Sequence, residues 1–227
     1  TRGRLALQLG WAFREAGRHE EAVAAARDAL AAAGDEEGMA DLRSRGLRLG
    51  VYSLVDGGQT EGATRFLQEY GSVDKDLHEY VAQKRSIDEY NSGVDALQQG
   101  RVDEAVSVFE ALAGDETVDP SRRAVAERAL QESLLRKAYD LLEAEKLEPA
   151  QAALERMREV AVRREDGAGL ARALFVLARI RVQVEDPTRG AELGAEAAAL
   201  ALAADDRELA GSAYMVVGNA LFESEPE

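Results

Sequence analysis

The sequence predicts an all-α fold built from antiparallel helix hairpins. Three observations predict it. Of 227 residues, Ala, Leu, Glu and Arg number 42, 27, 27 and 24. These side chains lose least free energy on entering a helix, whereas Val, Ile and Thr together number only 25. A turn-like segment recurs five times. Apolar residues on either side of it recur at the i, i+3, i+4, i+7 spacing of one helix face.

The first copy is Ala16 to Ala22, centred on Gly17, with Leu9, Gly10 and Phe13 before it and Ala22, Ala26 and Ala29 after it. The second runs Gly57 to Ala63, preceded by Leu47, Gly50, Val51 and Leu54 and followed by Leu67 and Tyr70. The third runs Gln99 to Ala105, followed by Phe109 and Leu112. The fourth, Ala144 to Ala150, follows Leu134, Ala138 and Leu141; the fifth is Glu185 to Ala191. Each is expected to end one helix at a left-handed cap and to start the next with acidic residues in its first turn. In the last two copies Glu145 and Asp186 stand where the earlier copies have glycine. The second residues of the copies are 41, 42, 45 and 41 apart.

All four prolines suit helix starts or turns. Pro149 and Pro187 lie in turn copies, Pro120 follows Asp119, and Pro226 sits in a sixth turn, Ser224 to Glu227. Tyr214, Val217, Gly218 and Leu221 form a last face before that turn. The expected architecture is five hairpins and a terminal half-unit over residues 1–227, a single domain and a fragment of a longer chain.

Composition excludes other classes. The chain lacks cysteine, is 46% hydrophobic and 31% charged, and carries a net charge of −15. Such a chain is too apolar for a disordered acidic tail. No apolar run approaches the roughly 20 residues needed to span a bilayer, so membrane insertion is not expected. The net charge opposes binding to nucleic acid and anionic lipid. A cytoplasmic location is expected, or a periplasmic one if a signal peptide was removed.

No catalytic constellation stands out. His19 and His78 are the only histidines, and neither has a second ligand at metal-site spacing. Gly57-Gly58 is not followed by the Lys and Ser/Thr of a phosphate loop. The expectation is a protein that is not an enzyme and needs no cofactor or metal.

Leu9, Gly10, Phe13, Gly17 and Ala22 resemble the small–large pattern of tetratricopeptide-repeat (TPR) proteins. So do Tyr90, Asn91, Ser92 and Gly93 with Gly100, Asp103, Glu104 and Ala105. The usual unit of that family is about 34 residues, so this chain is similar to a long-unit variant of 41–45 residues, like the repeat arms of large bacterial regulators and kinesin light chains. The surplus lies between units, and longer first helices are expected to absorb it.

The resemblance implies a right-handed α-solenoid whose first helices line a concave face. Carried over position by position, the inner residues are Arg4, Leu7, Trp11, Arg14 and Glu15 in the first unit. They are Arg45, Arg48, Tyr52, Val55 and Asp56 in the second. Tyr90, Val94 and Leu97 are the candidates in the third, unless that helix turns them into the core. The resemblance thus implies a partner surface of Arg4, Leu7, Trp11, Arg14, Arg45, Arg48, Tyr52 and Tyr90. The family's carboxylate clamp of Lys and Asn is not matched, since Leu7 and Trp11 stand where polar groups would be needed.

The expected function is a non-catalytic scaffold that binds a protein or peptide with acidic and apolar anchors in the concave groove. Arg supplies forked contacts to carboxylates, and Trp and Tyr supply rigid area. The plainer alternative has Trp11 packed on a neighbouring helix and the arginines paired locally. If the groove is elsewhere, the first helices of the fourth and fifth units are the next place to look. Two other classes stay open: a self-assembly module forming homo-oligomers, and a regulatory arm of a larger regulator or enzyme.

Overall fold

A computed structural model describes residues 2–34, 37–184 and 186–224, with the side chains of Glu37, Glu223 and Ser224 excepted. The described residues form eleven α-helices and one 3₁₀ turn, with no strand among them. The first hairpin is α1 (Arg2–Glu15) with α2 (His19–Ala33), and the 3₁₀ turn Glu37–Met39 follows. The second pairs α3 (Ala40–Asp56) with α4 (Thr60–Glu69), and the third α5 (Lys75–Gln98) with α6 (Val102–Gly114). The fourth is α7 (Pro120–Glu143) with α8 (Leu147–Arg163), the fifth α9 (Gly167–Gln183) with α10 (Pro187–Ala203); α11 (Arg207–Ser224) stands after them.

The chain divides into two compact units, residues 1–89 and 90–227, and the boundary falls inside α5. In the first unit α1 packs on α2, α2 on α3 and α3 on α4, with α1 also touching α3. Its core holds Leu7, Leu30, Leu49, Val51, Phe66, Leu67 and Leu77. In the second unit each helix from α6 to α11 packs on the next, and α9 also touches α11. Phe109, Leu134, Leu154, Leu174 and Leu177 are among its core residues. Contacts between neighbours and next-but-one neighbours are compatible with a helical repeat.

The turns follow from single residues. Gly17, Gly58 and Gly100 have φ of 72°, 71° and 73°, the left-handed conformation expected of a helix-ending glycine. Glu145 adopts the same conformation, φ 58°, in the fourth turn. The residue before each second helix, Arg18, Gln59, Arg101 and Lys146, is followed four positions later by Ala22, Ala63, Ala105 and Ala150. All four alanines have no exposed surface. Opposite them the first helices also carry small residues. A Cβ on Gly50 would collide with the Phe66 ring, and one on Gly93 would lie 2.7 Å from Phe109.

Three expectations need correction. Asp186 is not the left-handed residue of the fifth turn: its φ is −118°, and its side chain caps α10 by accepting from the Arg189 N–H. The fifth copy is therefore shifted by one residue, and Gly190, buried, takes the place of the alanine. A Cβ there would lie 2.6 Å from Val182 Cγ2. Leu9, Tyr214 and Leu221, expected on buried faces, are exposed at 53%, 54% and 57%; Ala210, Ala213 and Ala220 are the buried residues of α11. The surplus length goes into first helices only in the third and fourth hairpins, where α5 and α7 each have 24 residues. Before α3 it forms the 3₁₀ turn instead. Pro120 and Pro187 open α7 and α10 as expected; Pro226 lies outside the described residues.

Candidate functional site: the faces of the first helices

In the first unit α1, α3 and the start of α5 bring Trp11, Arg14, Tyr52, Asp56 and Tyr80 together. The Trp11 and Tyr52 rings are 6.5 Å apart, and Tyr52 meets Tyr80 edge-on at 5.1 Å. The Arg14 guanidinium lies 5.3 Å from both the Trp11 and the Tyr52 ring centres. Its Nε donates to Asp56 Oδ2 at 2.7 Å. Lys84 sits 5.8 Å from the Tyr80 ring. Burial, with the Asp56 charge beside it, raises the Tyr80 phenol above its ordinary pKa, while Arg14 pulls the other way.

The rest of the expected surface is less concentrated. Leu7 is 2% exposed and belongs to the core, a correction to its place in a groove. Arg48 lies 3.8 Å from Asp74, and Arg45 lies 3.8 Å from Asp41 one turn away. Arg4 is exposed. Tyr90, in the second unit, packs on Phe109 at 5.4 Å and leans on the core. So Trp11, Arg14 and Tyr52 do meet, but Asp56 already holds the Arg14 guanidinium. His78 Nε2 is 2.9 Å from the Ser72 carbonyl, and His19 packs against Gly57. Among the described residues no group of three or more His, Cys, Asp or Glu is arranged to hold a metal.

The second unit has a groove on the corresponding face, with a volume of about 820 Å³, crossing α7, α9 and α11. Counting back from the capping residue of each second helix locates it. Seven residues before Arg18 and Gln59 stand Trp11 and Tyr52; seven before Lys146 and Asp186 stand Tyr139 and Arg179. Four and three residues before those caps stand Leu142 and Glu143, then Val182 and Gln183. All six line the groove. Val176 and Ile180, both buried, form its floor with Val216 of α11, and Asn219 adds a carboxamide. The exposed Arg179 leans on the Phe175 ring at 5.8 Å, and among the described residues it has no carboxylate partner. These residues were not named from sequence, although the count that selected Trp11 and Tyr52 also selects Tyr139 and Arg179.

An apolar floor under a few polar side chains is the usual make-up of a recognition groove. The class that fold and site define is an all-α protein of consecutively packed helices, compatible with a helical repeat, with one filled and one open first-helix face. No protein-family model matches the chain, and no curated protein matches its sequence. No described helix is long and apolar enough to cross a membrane.

Proposed function

We propose that this protein is a non-catalytic scaffold for protein–protein interaction, a TPR-like right-handed solenoid over residues 1–227. Its occupant is an extended peptide with an apolar anchor and a carboxylate, held in the groove over α7, α9 and α11. That open groove is the single observation that carries the proposal. The anchor lies on Val176, Ile180 and Tyr139, and the carboxylate meets Arg179. Gln183 and Asn219 each offer an amide donor and acceptor to the peptide backbone. The net charge of −15 weighs against nucleic acid as the partner.

The test is selection of peptides from a random display library against the full chain, followed by titration. Arg179→Glu and Tyr139→Ala, both exposed positions, are expected to weaken the selected peptides about tenfold or more, the loss of a central anchor contact. Trp11→Ala is expected to leave affinity unchanged. Loss with Trp11→Ala and not with the other two would move the site to the first unit.

A second reading, self-assembly through α11, is favoured by one observation. Tyr214, Met215 and Phe222 are 54%, 67% and 82% exposed on a helix with no charged residue from Leu209 to Phe222. Its occupant is a second copy of this chain. Light scattering that shows a dimer dissociated by Phe222→Asp supports this reading; a monomer removes it.

A further inference from the structure

Gln131, in the middle of α7, is 4% exposed. Its Oε1 accepts from Arg164 Nη1 at 3.1 Å, but its buried Nε2 has no partner. A buried donor left unpaired is rare and asks for an explanation. This amide faces Gly169, the third residue of α9. A Cβ on Gly169 would lie 3.1 Å from Gln131 Nε2 and 2.7 Å from Asp166 Oδ2. Glycine at 169 therefore brings the α9 backbone close against a donor on one side and an acceptor on the other.

These groups form one end of a cavity of about 260 Å³, also lined by Arg128, Arg164 and Arg172 from three helices or their ends. Arg164 is engaged by Gln131 and lies 3.5 Å from Glu127. Among the described residues Arg128 and Arg172 have no carboxylate partner. Asp166 caps α9, its Oδ1 accepting the Gly169 N–H at 3.0 Å. The positive end of the α9 dipole points at the same place.

From this arrangement we infer that the cavity binds a hydrogenphosphate group. Gln131 Nε2 and the forks of Arg128 and Arg172 are donors and need acceptor oxygens carrying negative charge. Asp166 Oδ2 is an acceptor and needs a proton from the ligand. Hydrogenphosphate supplies both, through its charged oxygens and its P–OH. Sulfate has no proton at neutral pH and meets Asp166 with like charge, and exposed Glu132 at the rim adds to that repulsion. The group can come from free inorganic phosphate or from a phosphomonoester, which carries this proton as its monoanion, below a second pKa of about 6.

The test is calorimetric titration of the full chain with inorganic phosphate, phenyl phosphate and sulfate at fixed ionic strength and about pH 5.5, where the ester keeps its P–OH. Phosphate or phenyl phosphate is expected to bind one to one, and sulfate at least about tenfold more weakly, the loss of one charge-assisted hydrogen bond. Binding of both phosphates assigns the site to the free ion as well as to esters; binding of phenyl phosphate alone assigns it to esters. Arg172→Gln, at an exposed position, is expected to weaken binding about tenfold. Gly169→Ala pushes Asp166 and Gln131 out of place and abolishes binding. Asp166→Asn keeps the helix cap and narrows the preference over sulfate. No heat with either phosphate, equal affinity for sulfate, or unchanged binding in Arg172→Gln overturns the inference.

Discussion

The same positions in the repeat give a filled face in residues 1–89 and an open one in residues 90–227. Seven residues before the second-helix cap, the first unit has Trp11 and Tyr52, and the second has Tyr139 and Arg179. In the first unit Arg14 leans on both rings, Asp56 neutralises it, and Tyr80 packs edge-on against Tyr52. In the second unit Leu142 and Val182 take the place of Arg14 and Val55, and a groove of about 820 Å³ is left. Repeat position decides where a side chain points. Side-chain identity decides whether the face is spent on internal contacts or left for a partner.

The comparison requires the two units to share one register. Leu67 in the first and Phe109 in the second stand at the same place, each eight residues after its second-helix cap, at 1% and 0% exposure. Leu67→Ala and Phe109→Ala are each expected to cost about 2–5 kcal/mol, measured by urea unfolding. A cost below about 1 kcal/mol at either site would show that its side chain is not a core element and that the registers differ.

A smaller effect reverses sign along the chain. Gly50→Ala places a Cβ in the Phe66 ring and is expected to destabilise by about 1–3 kcal/mol through overpacking. Gly218→Ala on α11, where a Cβ meets nothing within 4 Å, is expected to stabilise by about 1 kcal/mol through helix propensity. Equal signs would mean that the close approach at Gly50 is not there.

The smallest effect concerns the brace itself. The Arg14 and Asp56 side chains are 29% and 35% exposed, so a double-mutant cycle is expected to return about 0.2–1 kcal/mol of coupling. Tyr80 adds a pH signature. Its pKa in the folded protein is raised above 10.0. The folded state thus holds the phenolic proton more tightly than the unfolded chain, and this contribution is complete below pH 10. It is lost as pH rises through the folded value. Tyr80→Phe is expected to flatten that alkaline decline in thermal midpoint, and an unchanged decline would place its cause elsewhere.

Much of this was legible in the sequence. Gly17, Gly58 and Gly100 and the alanines five residues after them identify the turns and the closest helix crossings, because few residues tolerate either environment. The fifth turn misleads because Pro187 and Gly190 are shifted by one from the earlier pattern, and the alanine at 191 lies beside the crossing, not in it. Leu9 and Tyr214 read as buried because periodicity identifies a face without saying whether another helix covers it. The contact of Trp11, Arg14 and Tyr52 follows from counting, but the capture of Arg14 by Asp56 depends on two helices 42 residues apart in sequence. The groove over α7, α9 and α11 depends on which side chains fail to fill space, and no motif reports that. The cavity lined by Gln131 and Gly169 is of the same kind.

Photocrosslinking tests the central claim most directly, that the first-helix face of residues 90–227 is the one that holds a partner. Benzoylphenylalanine is placed at Tyr139 in one variant and at Tyr52 in another, and each is irradiated with a library-selected peptide. Adducts are read by mass spectrometry. The account predicts a peptide adduct from position 139 and none from position 52; an adduct from 52 with none from 139 would contradict it.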